Sequence, residues 1–330
     1  MKANRYYPQI GKEGMKWYPE DIVGLDGMTA GDYFFVDAAK STGGAGKSWE
    51  DAFSDLDDAF LAVGNGDTIY MAPGTYTGNY STPDETEAQN VSVIGVSPGM
   101  PGIRGGVNLA PTTSSSPIIT NNASGWRYSN LCFRPGATSS GITLVADQNT
   151  SAYVAGTAGS ISQGVTIDNC MFWGGGTGKY GIIAAGLTDY NGIHFANIIN
   201  NHFQYLNAAG ATAIWAAAAG NPNIGWTIAG NMFESNRAGI DTYANMGWVG
   251  SRIIGNTFSH YGVYATTEVL CDVTSTATPE VTGGNHFYNN GLGITIAEAA
   301  AGNYVLLNGY DYAGGNYCSD GMDTGIYKAS

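Results

Sequence analysis

One plan of residues recurs seven times along this chain: a short apolar run, an Asn, a large apolar residue and a polar turn. The stretch Ile224–Thr242 shows it most clearly. The large residues are Phe133, Phe172, Phe203, Phe233, Phe258, Phe287 and Cys318. Each is followed by a second apolar mark, at Ile142, Ile182, Ile214, Ile240, Val263, Ile294 and Ile326. Because a period of roughly 20–50 residues is the signature of repeat architectures, the pattern predicts a solenoid.

The repeats contain β-strands rather than helices. Their apolar runs are short, rich in Ile, Val and aromatic residues, and interrupted by Gly and Asn. Three such strands and their turns fill one period, so we expect successive coils to stack as parallel sheets, with Asn ladders at the bends. An internal stack is predicted for Phe172, Phe203, Phe233, Phe258 and Phe287. The alternative is a β-sandwich with accidental recurrences, which seven paired matches disfavour.

Composition limits the function classes. The 330 residues carry a net charge of −14 with only 13 Lys and Arg, which argues against nucleic acid or an anionic membrane as a partner. No apolar run is long enough to span a bilayer, and the first residues lack the apolar core of a signal peptide, so we expect synthesis in a cytoplasm. The four cysteines show no C-x-x-C spacing and are predicted to be buried thiols.

The chain divides into an arm and a solenoid. Residues 1–32 lie outside the repeat and combine basic residues with aromatic ones, which favours attachment of this arm to another chain. The aromatic residues of the arm are Tyr6, Tyr7, Trp17 and Tyr18. Residues 33–330 are predicted to form the solenoid. An amphipathic helix at about 48–63, starting at the capping-box residues Ser48–Asp51, is predicted to cover its first coil.

The opening of the solenoid resembles a known family. The order Tyr33–Asp37, Ser48–Trp49, helix, Gly66–Ile69, Pro73–Tyr76 and Val93–Gly95 is similar to the start of pectate-lyase-like right-handed parallel β-helices. The resemblance implies an all-β, right-handed parallel β-helix. It leaves the function open, because the superfamily holds polysaccharide lyases and hydrolases, phage tailspikes and virion proteins without enzymatic activity.

Enzymatic chemistry has one candidate site. The Asn-Thr-Asp, Asp-Asp and Gly-His-Gly motifs of the related pectin hydrolases are absent from the coils. Glu234, Arg237 and Asp241 fall within one coil, with Asp168 and Asp189 on earlier coils, and paired carboxylates are suited to acid–base hydrolysis. Solvated turn charges are the alternative explanation. The four histidines are not spaced for one metal ion, and the sequence predicts neither a metal site nor a cofactor.

Aromatic residues are the remaining signal. Several lie just after the repeat marks, where strand alternation directs side chains outward. Exposed aromatic residues at the same level of successive coils would form a flat stripe. The principal ones are Trp173, Trp215, Tyr243, Trp248 and Tyr264. Such a stripe can pack against another subunit, most simply in a homotrimer, or stack on sugar rings.

Together these features predict a non-enzymatic phage virion protein, either a capsid decoration or spike or a tail-associated fibre. Its N-terminal arm would bind other virion proteins and its β-helix would project. The alternative is a tailspike-type depolymerase or glycan-binding β-helix that recognises a host surface polysaccharide.

Overall fold

The structure is a computed structural model. It describes residues 31–96, 106–147, 160–186, 192–216, 223–242, 248–249 and 251–259. Short strands at 9–11, 14–16, 286–288, 295–296, 304–306, 317–318 and 326–328 are described for their backbone alone.

The described residues contain one helix, α1 (Leu56–Ala62), and many short strands. In chain order the strands are β1 (Gln9–Gly11), β2 (Gly14–Lys16), β3 (Tyr33–Val36), β4 (Thr68–Met71), β5 (Gly74–Thr77), β6 (Tyr80–Ser81), β7 (Ser92–Gly95), β8 (Val107–Ala110), β9 (Ile119–Asn121), β10 (Arg127–Ser129), β11 (Cys132–Phe133), β12 (Ser140–Asp147), β13 (Ser160–Ile161), β14 (Thr166–Asp168), β15 (Met171–Trp173), β16 (Tyr180–Gly186), β17 (Asn197–Ile199), β18 (His202–Gln204), β19 (Thr212–Ala216), β20 (Asn223–Ile224), β21 (Thr227–Ala229), β22 (Met232–Glu234), β23 (Ile240–Thr242), β24 (Trp248–Val249), β25 (Arg252–Ile254), β26 (Thr257–Ser259), β27 (His286–Tyr288), β28 (Thr295–Ile296), β29 (Tyr304–Leu306), β30 (Tyr317–Cys318) and β31 (Ile326–Lys328).

Three long sheets run side by side along the molecule. Sheet 1 has the order β3-β4-β7-β10-β14-β17-β21-β25-β27-β29-β31, sheet 2 the order β5-β8-β11-β15-β18-β22-β26, and sheet 3 the order β6-β9-β12-β16-β19-β23. Neighbouring strands in these orders are parallel, apart from the antiparallel pair β29–β31. Each complete coil therefore contributes one strand to each sheet. The fold is a right-handed parallel β-helix, which confirms the predicted fold class.

The centre of the solenoid contains the predicted aromatic column. Phe133, Phe172, Phe203 and Phe233 are in register on sheet 2, and their buried rings stack at centroid distances of 4.9, 4.8 and 5.0 Å. The backbone of Phe258 continues the register. The prediction for Phe287 is wrong: β27 belongs to sheet 1, where Phe287 pairs with Ile253. The local motif does not reveal that β26 and β27 belong to different sheets.

The second apolar mark forms a column of its own on sheet 3. Ile142, Ile182, Ile214 and Ile240 are paired in register and fully buried. The residue before Ile142 is a glycine for a steric reason. A Cβ at Gly141 would lie 2.8 Å from the ring of Phe172. The Gly-Ile pairs thus allow the two columns to pack together.

Asn residues occupy two different bend positions between sheets 1 and 2. Asn130, Asn169 and Asn200 adopt positive φ angles of 58°, 52° and 55°. Asn201, Asn231 and Asn256, one position closer to the Phe, form the predicted ladder. The backbone N–H of Asn201 donates to Oδ1 of Asn231 (2.8 Å), and that of Asn231 to Oδ1 of Asn256 (2.9 Å). The Asn of the repeat motif therefore either adopts the left-handed backbone conformation of the bend or forms part of the buried hydrogen-bonded ladder.

The helix is shorter than predicted. It begins after the N-cap Asp55, and residues 48–51 form a turn in which Ser48 Oγ accepts the N–H of Asp51 (3.2 Å). Leu56, Ala59 and Phe60 are buried, so the helix is amphipathic as expected, whereas its role as a cap remains a prediction.

In the predicted arm, β1 and β2 pair as antiparallel strands, which the sequence did not predict. Tyr6, Tyr7, Trp17 and Tyr18 lie outside the described residues, and attachment stays a prediction.

The prediction of buried thiols is confirmed for the two cysteines that lie in the described part of the chain. Cys132 and Cys170 are free, buried thiols, and burial raises the pKa of both. Across the described part of the chain, no helix has the length and apolar character needed to cross a bilayer.

A polar and aromatic face on sheet 2

The outer face of sheet 2 carries a row of residues with binding chemistry. Because the Phe column points inward, the residue after each Phe points outward. These residues are Arg134, Trp173, Gln204 and Glu234, on four successive coils. Neighbouring members lie about 4.8 Å apart along the axis, the spacing of stacked strands. We call this set the sheet 2 row.

An aromatic platform lies near the start of the sheet 2 row. The guanidinium carbon of Arg134 lies over the indole of Trp173, 4.9 Å from the ring centroid. This cation–π contact holds one face of the ring against the preceding coil. The indole is partly exposed and supplies a flat apolar surface beside two polar side chains.

A histidine–carboxylate hydrogen bond lies further along the same row. Nε2 of His202 is 2.9 Å from Oε2 of Glu234, and both side chains are about three-quarters buried, with exposed fractions of 22% and 25%. His202 precedes its Phe and Glu234 follows the next one, so the pair crosses between adjacent strands on one face. This contact was not predicted from the sequence, where the histidines were considered as possible metal ligands. Aligning Phe203 with Phe233 would have placed the two side chains on the same outer face.

A tyrosine adjoins the row at the end of β18. Tyr205 follows Gln204, has φ of 54°, and is 38% exposed. Left-handed backbone costs a residue with a side chain roughly 1–2 kcal/mol, so a glycine would be favoured here on backbone grounds. The preceding coil has Gly174 at this position, packed against the Tyr205 carbonyl. The conformation places a second half-exposed aromatic residue beside the row.

The predicted catalytic residues do not lie on one face. Glu234 is in β22 of sheet 2, whereas Asp241 is in β23 of sheet 3, where it pairs with Trp215. Both follow an inward residue and point outward from different sheets. Arg237 is exposed in the bend between them. Asp168 is on sheet 1, and Asp189 lies outside the described residues. Catalysis by Glu234, Arg237 and Asp241 stays a prediction.

Asp168 instead belongs to a structural ion pair. Its carboxylate accepts two bonds from Arg127, both 2.8 Å, and further bonds from Ser129 (3.0 Å) and Asn169 (2.9 Å). Burial alone would raise the pKa of Asp168. The hydrogen bonds and charge of Arg127 outweigh burial and hold this pKa below its usual range. The pair ties two coils of sheet 1 together.

The predicted aromatic stripe is divided between faces. Trp173 is on sheet 2, while Trp215 is on sheet 3 and stacks on Tyr180 at 4.6 Å. The backbone of Trp248 pairs with Asn223 in a separate two-stranded sheet. A single stripe is therefore wrong for these residues, since the wide turns rotate them onto different sides. Tyr243 and Tyr264 lie outside the described residues.

Within the described segments, no group of three His, Cys, Asp or Glu side chains is placed to hold a metal ion.

Comparison with known proteins gives structural matches only. No family model and no curated protein matches the chain. Similar solved structures include pectate lyase Pel9A, with 16% identity, a TM-score of 0.37, and coverage of 89% of this chain and 83% of that one. The PL6 family alginate lyase AlyGC has 14% identity and a TM-score of 0.42; 90% of this chain matches 43% of its length. Geobacillus virus E2 ORF18 has 12% identity, a TM-score of 0.35, and coverage of 73% and 53%.

Proposed function

We propose that this chain is a polysaccharide-binding β-helix protein and that the sheet 2 row is its binding surface. The observation that carries the proposal is the sequence of side chains across successive coils: the Arg134-backed indole of Trp173, then Gln204, then Glu234. Binding sites combine aromatic surface with a few placed polar groups. The amide of Gln204 both donates and accepts hydrogen bonds, and the carboxylate of Glu234 accepts them.

The form of this surface favours a polymer as the ligand. The row is on the outside of a solenoid and follows its long axis, so a ligand that uses all four side chains must extend over several coils. At about 4.8 Å per coil, the row from Arg134 to Glu234 is roughly 14 Å long. A chain of linked sugar rings has this extended form, and its hydroxyl groups match the polar members of the row.

Binding without cleavage is the simplest function of this surface. The carboxylate of Glu234 is in contact with His202, and the other predicted carboxylate, Asp241, is on the outer side of another sheet. A pair of carboxylates that acts on one glycosidic bond has to flank that bond. We therefore favour a binding protein over a depolymerase.

Affinity electrophoresis tests this proposal. The full chain is run in native gels that contain purified bacterial capsular polysaccharide or O-polysaccharide. Trp173→Ala should weaken retention at least about tenfold, a loss of roughly 1.4 kcal/mol. Trp215→Ala is the matched control, because it removes a tryptophan from sheet 3. Equal retention of the two variants, or a loss of retention in Trp215→Ala alone, would contradict the proposed surface. So would a parent chain that no polysaccharide in the panel retains.

A virion setting is the second part of the proposal. Residues 1–18 contain four basic residues, one acidic residue and four aromatic residues in a protein that is otherwise acidic. Aromatic and basic residues are enriched at interface hot spots, which supports a role of this segment in binding other virion proteins. In this setting the bound glycan is a host surface polysaccharide, and the particle-bound form is a homotrimer.

Truncation of the arm tests the virion setting. The body begins at Gly31, since the N–H of Asp32 already donates to Asp67 (2.6 Å). A variant that lacks residues 1–30 should fold but fail to enter particles when it is the only copy expressed. Normal incorporation of the truncated chain would contradict the attachment role.

A further inference from the structure

An open groove of about 600 Å³ lies at the N-terminal end of the solenoid, far along the chain from the sheet 2 row. One wall is the helix α1 with Phe60 and Leu61, and the other is the segment after β6 with Thr82 and Pro83. Leu61 is 87% exposed, which is unusual for a leucine beside a recess. The groove thus offers apolar surface that is uncovered in the described part of the chain.

The rim of the groove is acidic. Asp57 and Glu87 line it, and Asp55 and Asp58 are close to Asp57. Burial, followed by the charges of Asp55 and Asp58, raises the pKa of Asp57. A cationic side chain placed at this rim would relieve the repulsion between the carboxylates. The groove therefore fits a segment that combines basic and apolar side chains.

The N-terminal segment enters the body beside this groove. Gly31 packs against the carbonyl of Gly66, and Asp32 bonds to Asp67, in the turn that follows α1. The same turn is bonded to the far wall, because the N–H of Gly66 donates to the carbonyl of Gln89 (2.9 Å). Both walls of the groove are thus joined to the point where residues 1–30 end and the body starts.

We propose that this groove is the docking site of residues 1–18 of the same chain. This segment contains Lys2, Arg5, Lys12 and Lys16 against a single acidic residue, Glu13. Its aromatic residues provide apolar groups that can cover the exposed side chain of Leu61. The charges of segment and rim are complementary, and the apolar groups of both are covered in the docked state.

The length of the connection allows docking within one chain. Residues 19–30 span up to roughly 40 Å when extended, which exceeds the width of a small groove. Tethering gives the segment an effective concentration in the millimolar range, so even weak contacts favour the chain's own segment over that of a neighbour. A virion partner that binds the arm would displace it from the groove. This inference does not depend on the proposed glycan surface.

Zero-length carbodiimide cross-linking of the full chain, followed by peptide mass spectrometry, tests the docking. Amide links are expected between Lys2, Lys12 or Lys16 and the carboxylates of Asp57 or Glu87, with lower yield in high salt. An equal mixture of ¹⁵N-labelled and unlabelled protein separates the two possible origins. Links within one isotope support docking in the same chain. Docking between different chains would make about half of the links mixed, so mixed links near half of the total would overturn the proposal. No links at all, or links just as frequent at Glu234, would overturn it too.

A second measurement uses the exposed leucine. Leu61→Lys places a repelling charge at the groove and should raise the rate of tryptic cleavage at Arg5, Lys12 and Lys16 roughly tenfold, because proteolysis follows the undocked fraction. Met232→Lys, at a half-exposed position on sheet 2, is the control. Cleavage rates that are the same in the parent and both variants would contradict the docking.

Discussion

The rings of Phe172 and Phe203 lie 4.8 Å apart and within 9° of parallel, although 30 residues separate them in the chain. The distance equals the separation of neighbouring strands, so each ring stacks on the next as a consequence of strand pairing. Similar contacts join Phe203 to Phe233 and Phe133 to Phe172. The column therefore couples the stability of successive coils.

Phe203→Ala should lower the free energy of unfolding by about 3–5 kcal/mol, because it removes a fully buried ring and leaves a cavity between two others. Urea unfolding followed by circular dichroism measures the change. Met232→Ala, at a half-exposed neighbouring position, should cost less than about 1 kcal/mol. Similar costs for both variants would mean that the column does not hold the coils together.

Asn231→Ala should cost about 2–4 kcal/mol, since it leaves several buried groups without partners. Oδ1 of Asn231 accepts the backbone N–H of Asn201, and its Nδ2 donates to the carbonyl of Ile198 (2.8 Å). Asn197→Ala, on the outer side of sheet 1, is the matched control. Hydrogen exchange of the Asn201 amide should become faster in Asn231→Ala alone; an unchanged rate would argue against the ladder.

Asp168→Asn should destabilise the protein by about 1–2 kcal/mol at pH 7, a figure reduced because Arg127 is half exposed. The folded pKa of Asp168 is lowered, so its stabilising contribution is fully present above the ordinary value of 3.8 and is lost as the pH falls through the lower folded value. The difference between parent and variant should therefore shrink below pH 4. A difference that is independent of pH would assign the loss to packing instead.

Glu234→Gln and Asp241→Asn distinguish binding from cleavage. As a binding protein, the parent chain should release no reducing ends or unsaturated products from any retained polysaccharide. If cleavage is detected, its loss in both variants with a preserved circular dichroism spectrum would support the predicted catalytic residues despite their places on different sheets. Cleavage that survives both substitutions would place the active site elsewhere in the chain.

Periodicity alone determined the architecture of the repeats. The distance from Phe172 to Phe203 and to Phe233, together with the Gly-Ile marks, predicts stacked parallel strands, because side-chain alternation and the strand spacing leave one way to bury both columns. The short stretch around Asn201 also predicts a bend with an Asn ladder. These features recur at the same place in every coil, so the period of the sequence is sufficient to predict them.

Contacts between unlike residues of neighbouring coils were decided by the tertiary structure. The alignment of Phe203 with Phe233 places His202 and Glu234 on one face, but only the folded chain shows that their side chains meet. Arg127 meets Asp168 because the intervening turns bring β10 and β14 into register. The same reason explains the misplacement of Phe287, which has the local motif of the sheet 2 column but pairs with Ile253 on sheet 1. A motif specifies which way a side chain points relative to its own strand. The lengths of the turns decide which strand lies beside that strand. They therefore also decide which residues of the outer faces come together.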